Sequence, residues 1–309
     1  MILCCGEALI DMIPQPTQGA QTCFTPHAGG AVFNTAIALG RLGSKPGFVT
    51  GLSRDLFGVQ LAQALEESHV DCDLVIRSDL PTTLAFVELN DGQARYTFYD
   101  ENTAGRSLSP DHLPDIPASV TALYFGGISL ISEPCADFYA ALALREAPGR
   151  AIIIDPNIRA AFIRDEVLYR ARLDKMIAVA DIVKVSDEDL DWIIPGPEAL
   201  ATKARKLRAQ GPHAVIVTRG GDGALAFGAG DEAVEVPAKR VSIVDTVGAG
   251  DTFNAGVLAS LMAAGLLSKA RMKDIGPSAM RAALMHGACV AAVTVSRAGA
   301  NPPWAHELP

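Results

Sequence analysis

The feature that most constrains this chain is an alternation of short apolar runs, rich in Val, Ile and Leu, with longer amphipathic segments. Residues 2–5, 122–125, 151–154, 181–185 and 214–218 read as strands buried on both faces. Residues 59–67, 135–145 and 198–210 carry a helical period. Such alternation predicts a mostly parallel sheet with helices on both sides, and ligands at the carboxyl ends of its strands. Two stretches break the rhythm. Residues 11–27 are polar and interrupted by proline. Residues 82–89 and 94–99 are β-prone and flank Asn90-Asp91-Gly92, a tight-turn signal. The second stretch predicts a hairpin projecting as a flap.

Composition narrows the function classes. A chain of 309 residues has room for one large α/β domain with a small appendage. A formal net charge of −9 leaves no basic excess for neutralising nucleic-acid phosphates. Local backbone N–H groups can still hold a phosphorylated ligand. The six cysteines form no C-x-x-C pair and are each expected as small buried apolar residues. Residues 1–9 lack a basic leader and a long apolar core, and residues 255–267 are too short to span a membrane. The expectation is a cytoplasmic protein with neither membrane nor nucleic-acid partner.

The sharpest motif runs from Val241 to Phe253 and contains Asp245-Thr246-Val247-Gly248-Ala249-Gly250-Asp251. It predicts a strand ending at Asp245, a glycine turn, and a helix from about Thr252 to Ala264 stopped by Gly265. Glycines at 248 and 250 let the backbone approach an anion, and the helix start turns free N–H groups and its positive dipole end toward it. Asp251 is then either a helix N-cap or a general base beside the anion. Other phosphate motifs fail. A dinucleotide fingerprint needs Gly where Phe253 stands, the chain has no Gly-Lys pair for a Walker loop, and no His-Glu-x-x-His occurs.

Two stretches together resemble the ribokinase-like, or PfkB, carbohydrate kinases. One is Asp245–Asp251. The other, far upstream, is Ala28-Gly29-Gly30-Ala31-Val32-Phe33-Asn34-Thr35-Ala36, continuing to Leu39-Gly40-Arg41-Leu42-Gly43. The resemblance runs nearly end to end, from Gly6-Glu7 to Ala300, and is nearest to the bacterial fructokinases. It implies one ribokinase-like domain over 1–309 with a small β-sheet lid from about 11–28 and 81–105, and a homodimer through that lid. It implies transfer of the γ-phosphate of ATP to the 6-hydroxyl of D-fructose, with magnesium and a potassium loop. Another neutral sugar or riboside, 2-keto-3-deoxygluconate, or a non-catalytic sugar sensor are the alternatives.

The resemblance also assigns residues. Asp251 is the base, Gly248, Ala249 and Gly250 the anion loop, and Arg159 lies near the phosphoryl path. Asp11, Gly29, Gly30, Asn34, Phe98, Arg106 and Asn157 face the sugar. Ser186, Thr218, Gly220, Gly221, Gly223 and His286 face the nucleotide. Ser186-Asp187-Glu188-Asp189 stands where many relatives carry Asn-x-x-Glu, which leaves Asp189 as the magnesium-linked acid. Carbonyls near Asp245 and Val247 form the monovalent-cation loop. Asp100 occupies the position where kinases of acidic sugars carry Arg, and so is expected to repel a carboxylate.

Overall fold

The computed structural model describes residues 1–15, 23–90, 93–228 and 232–308. The apolar opening run is β1 (Ile2–Cys5), followed by β2 (Leu9–Gln15), β3 (Cys23–Gly29) and α1 (Ala31–Arg41). Next come β4 (Gly47–Val49), β5 (Gly51–Ser53), α2 (Leu56–Glu67), β6 (Ile76–Ser78), β7 (Leu84–Asn90) and β8 (Gln93–Tyr99). The middle of the chain supplies β9 (Ala122–Gly126), α3 (Cys135–Glu146), β10 (Ala151–Asp155), α4 (Glu166–Val179) and β11 (Ile182–Ser186). Then follow α5 (Asp187–Ile193), α6 (Leu200–Arg208), β12 (Ala214–Thr218), β13 (Ala224–Phe227) and β14 (Val234–Val236). Two long helices close the series, α7 (Ala249–Ala263) and α8 (Pro277–Val295).

The main sheet has eight strands in the order β14-β13-β12-β11-β10-β9-β1-β4. Pairing is parallel from β4 to β12 and antiparallel at β13 and β14. All five apolar runs expected as strands lie in its parallel part. Alternation along β1 divides the core: Ile2 and Cys4 pack with Phe33, Leu61, Leu258 and Leu284 on one face. Leu3 and Cys5 pack with Phe138, Leu173 and Leu207 on the other. A second sheet of four strands, β3-β2-β7-β8, stands apart from the first. The hairpin pairs β7 with β8 antiparallel as expected; its Asp91-Gly92 turn lies outside the described residues.

Helices α7 and α8 cross where Gly256 meets Gly287. A Cβ on Gly256 would fall 2.7 Å from the Gly287 Cα, so only glycine permits this approach. Helix α8 is long and apolar enough to cross a membrane by length and composition alone, yet its inner face, with Met280, Leu284 and Val290, is buried in the protein.

Three expectations need correction. Residues 241–245 form no strand: the Val244 and Asp245 amides donate to the Val295 carbonyl at the end of α8, and Ile243 and Val244 are exposed. Their β-branched chemistry misled because it lines a cavity instead of a sheet. Helix α7 starts at Ala249, not 252, because Gly248 caps it at φ +76° in the left-handed region. The N-cap alternative for Asp251 falls with that change. All six cysteines are free, but only Cys4, Cys5 and Cys135 are buried: Cys72 and Cys289 are half-buried, and Cys23 is exposed, since it starts the edge strand β3 of the small sheet.

Candidate active site

Helices α1 and α7 begin at the same end of the main sheet, and their first turns meet. Asn34 in α1 donates from Nδ2 to Asp251 Oδ2 at 2.9 Å, and Thr35 Oγ1 donates to the Asp251 carbonyl at 3.2 Å. No bond from the described residues falls on Asp251 Oδ1. Asp251 is 8% exposed. Burial lifts its pKa to about 7 with help from the Asp155 charge, while the Asn34 hydrogen bond and the Lys184 ammonium oppose the rise. A carboxyl with such a pKa can take a proton near neutral pH. The amides of Gly248 and Gly250 make no bond to the protein among the described residues, which leaves both for an anion.

Around Asp251 lies a polar cavity of about 350 Å³. The small sheet contributes Asp11, Tyr96 and Phe98; the turn after β10 contributes Asn157 and Arg159; the main sheet contributes Asp155 and Lys184. Asp11 is held up to about 7 by burial and by the nearby Glu7 charge. Glu7 in turn receives the Ala31 amide at the start of α1 and the Ser129 amide, at 2.9 and 3.2 Å. Asn157 adopts φ +44°, uncommon for a residue with a side chain, and its Oδ1 receives Arg159 Nη1 at 2.7 Å. Beneath the floor, Asp155 Oδ2 accepts from Lys184 Nζ at 2.9 Å and from Asn254 Nδ2 at 2.6 Å, and Asn254 also reaches the Tyr124 hydroxyl.

A second cavity of about 550 Å³ opens on the other side of the same loop. Its walls are Thr218, Gly220, Gly221 and Gly223 after β12, Val241 and Ile243, and the α8 face of Ala288, Ala291, Ala292 and Val295. Small and apolar side chains make up most of the lining, joined by Lys239 and Arg240, and leave room for a planar base. Thr246, Ala249 and Gly250 line both cavities, so the loop is their shared wall.

Of the residues expected at the site, Gly30, Asn34, Asp11, Phe98, Asn157, Arg159 and 248–251 line the polar cavity, as does Val247. Several others do not reach it. Gly29 sits behind Asp11, where a Cβ would fall 2.2 Å from the Asp11 carboxylate. Arg106 turns to Asp100, at 2.6 Å, and to the Glu133 carbonyl, both in a neighbouring pocket. Asp100 is therefore a paired charge outside the polar cavity, which removes the basis for expecting it to repel a carboxylate there. Ser186 caps α5, and Asp189 spends one oxygen on the Ile158 amide and the other on the Ser186 amide. Both hold that turn, and neither lines the two cavities. Asp245 receives the Val247 and Gly299 amides and braces that loop. His286 faces a groove with Leu42 and Gly43, away from the apolar cavity.

Sequence reasoning did not single out Glu7, Asp155 or Lys184. Lys184 left a signal, being the one charge between Ile182 and Val185 in a strand otherwise apolar and buried. Asp155 ends its strand at the carboxyl edge, where ligands collect.

Comparison with known proteins agrees with this geometry. The model of the pfkB family carbohydrate kinases matches residues 1–307. A fructokinase of Rhizobium leguminosarum bv. trifolii is 50% identical over 281 residues, covering 91% of this chain and 86% of the relative. The crystal structure of a fructokinase with bound ATP from Xylella fastidiosa superposes with a TM-score of 0.87 at 32% identity, covering 97% of this chain and 93% of that one. An aminoimidazole riboside kinase from Salmonella enterica, complexed with aminoimidazole riboside and an ATP analogue, superposes with a TM-score of 0.80 at 25% identity over 96% and 94% of the two chains. The paired cavities, the shared glycine loop and the end-to-end match lead to one conclusion: the chain belongs to the pfkB family of carbohydrate kinases.

Proposed function

We propose that this kinase transfers the γ-phosphate of ATP to the 6-hydroxyl of D-fructose, giving fructose 6-phosphate and ADP. The observation that carries it is Asp251, held by Asn34 at the wall common to a polar and an apolar cavity. Fructose occupies the polar cavity against Asp11, Asn157 and the Phe98 ring, and the adenine lies in the apolar slot. Asp251 takes the hydroxyl proton as the oxygen attacks the γ-phosphate in line, and the free Gly248 and Gly250 amides bind the charge that develops. The small sheet acts as a lid that keeps water from the phosphoryl group.

Charge in the polar cavity favours a neutral acceptor. Glu7, Asp11, Asp155 and Asp251 face Arg159 and Lys184 there, and Lys184 is already paired with Asp155. A sugar acid meets an excess of carboxylates above neutral pH. Arg159 keeps a place near the phosphoryl path.

Magnesium fits only as a passenger on the nucleotide. Among the described residues no three His, Cys, Asp or Glu side chains stand close enough to hold a metal ion, and each Asp189 oxygen already accepts a backbone amide. When bound to the phosphates the ion supplies positive charge to them. A potassium ion at Asp245 and Val247 would rest on backbone carbonyls, because the Asp245 carboxylate is committed to amides. The reading extends to a cytoplasmic enzyme, in keeping with its six unpaired cysteines. It also extends to a homodimer through the outer face of the lid. There Phe24, Phe86 and Tyr99 stack edge to face at 5.1 and 5.4 Å, with Tyr99 61% exposed.

An ADP-release assay over fructose, other neutral hexoses, ribosides and sugar acids tests the assignment. The highest kcat/KM belongs to fructose. A riboside in first place would move the chain toward the Salmonella kinase it also resembles, and a sugar acid in first place would overturn the charge argument.

A further inference from the structure

Lys184 pairs with Asp155 and opposes the rise of the Asp251 pKa, yet its position is unusual for a residue with those duties alone. The residue is 7% exposed and sits in a strand whose neighbours are apolar. Its ammonium carries three donors, and only the bond to Asp155 Oδ2 is spent among the described residues. A buried pair kept for stability alone is commonly replaceable by apolar side chains at no loss. This one is not sealed in the core, because Lys184 lines the polar cavity. A Cβ built on Gly250 would lie 3.4 Å from Nζ, so the ammonium stands directly beside the stretch of backbone common to both cavities.

We propose that Lys184 is a catalytic residue whose ammonium binds the phosphoryl group in transit from nucleotide to sugar. The inference rests on the kinase reading above and adds a charge to it. The Gly248 and Gly250 amides are neutral donors. Arg159, the other cation in the cavity, directs Nη1 to Asn157 Oδ1 and to the Asn157 and Ile158 carbonyls. Lys184 is the cation fixed against the loop, with Asp155 as its anchor and Asn254 bonded to the same Asp155 oxygen. In the transfer, the bond from the sugar oxygen to the γ-phosphorus forms and the bond from that phosphorus to the β,γ-bridging oxygen breaks. ADP keeps the electron pair, the hydroxyl proton goes to Asp251, and Lys184 stays protonated while neutralising the equatorial oxygens.

The test must separate this contact from a structural role for the pair. The double variant Lys184→Met with Asp155→Asn removes both charges and strands neither. It is expected to bind ADP as the wild type does, to lose about tenfold of the preference for a non-hydrolysable ATP analogue over ADP, and to lose about 10²–10³-fold in kcat. Retained kcat, or equal weakening of ADP and the analogue, overturns the proposal. As a second comparison, Lys184→Arg keeps the charge and Lys184→Gln does not, although both disturb packing. Preference for the analogue is expected to survive in the first and vanish in the second; equal loss in both overturns the role. Kinetics are run on whichever neutral sugar the wild type phosphorylates best, and the binding arm needs no acceptor. A wrong acceptor therefore shows in the wild type alone and leaves the Lys184 comparison intact.

Discussion

The two cavities that share the Gly250 wall are built on opposite principles. The polar side, which we assign to the sugar, is made largely of charged and polar side chains, several held by others: Asn34 bonds Asp251, and Asn254 and Lys184 bond Asp155. The other side, which we assign to the nucleotide, is made mostly of glycines, alanines, valine and isoleucine around a strand end, with Lys239 and Arg240 as its charges and no carboxylate among the described residues of its wall. Sugar hydroxyls need directed partners in a fixed array, whereas a planar base needs an open slot and a phosphate needs bare backbone N–H groups. Damage on the sugar side should therefore appear in chemistry and pH dependence, and damage on the nucleotide side in steric exclusion.

The largest expected effect is that of Asp251→Asn. The variant keeps its shape and its Asn34 neighbour but loses about 10²–10⁴-fold in kcat. Fructose and ADP affinities, followed by calorimetry, should hold. Turnover near the wild-type rate would strip the sugar side of its chemistry and break the contrast.

Next comes pH. Asp251 must be ionised to accept a proton, and its pKa is about 7. The value of kcat/KM for fructose should be flat above that point and fall about tenfold for each unit well below it. Asp11 is also held up to about 7, so the profile is repeated in Asp11→Asn. A fall that persists there belongs to Asp251. Stability gives an opposite reading of the same Asp11 carboxyl. Its folded pKa lies above the unfolded 3.8, so the wild type loses stability as pH rises through about 7. The Tm advantage of Asp11→Asn should widen from pH 5 to pH 8.

A smaller effect is expected from Ala291→Phe, which fills the apolar slot. Overpacking costs about 1–3 kcal/mol and should raise KM for ATP roughly tenfold or more, with KM for fructose unmoved. The smallest is His286→Ala. Because His286 faces the groove beside Gly43, KM for ATP should not change. A clear rise would return that histidine to the nucleotide side and blur the division of labour.

What could be read in the sequence was local. The parallel strands were legible because double-sided burial demands unbroken Val, Ile and Leu. The glycine loop with Asp251 was legible because a backbone that must approach an anion admits few residues, and those stand together in the chain. Side-chain direction was not legible. Val241 and Ile243 have strand chemistry but line a cavity, since nothing in a short apolar run says whether a sheet or a ligand will cover it. Asp100 looked like a specificity charge until Arg106, six residues on, was found paired with it. Asp189 looked like a metal acid until two backbone amides claimed its oxygens. Lys184 acquires meaning only where β11 meets the start of α7, far apart in sequence: its Nζ lies 3.4 Å from the point a Cβ on Gly250 would occupy. The order of residues along the chain set the layers, the glycine loop and the place of Asp251 beside it. The tertiary structure alone decided which charges are spent on each other and which remain for substrate, because a polar group's partner is chosen by packing across the chain and not by its neighbours along it.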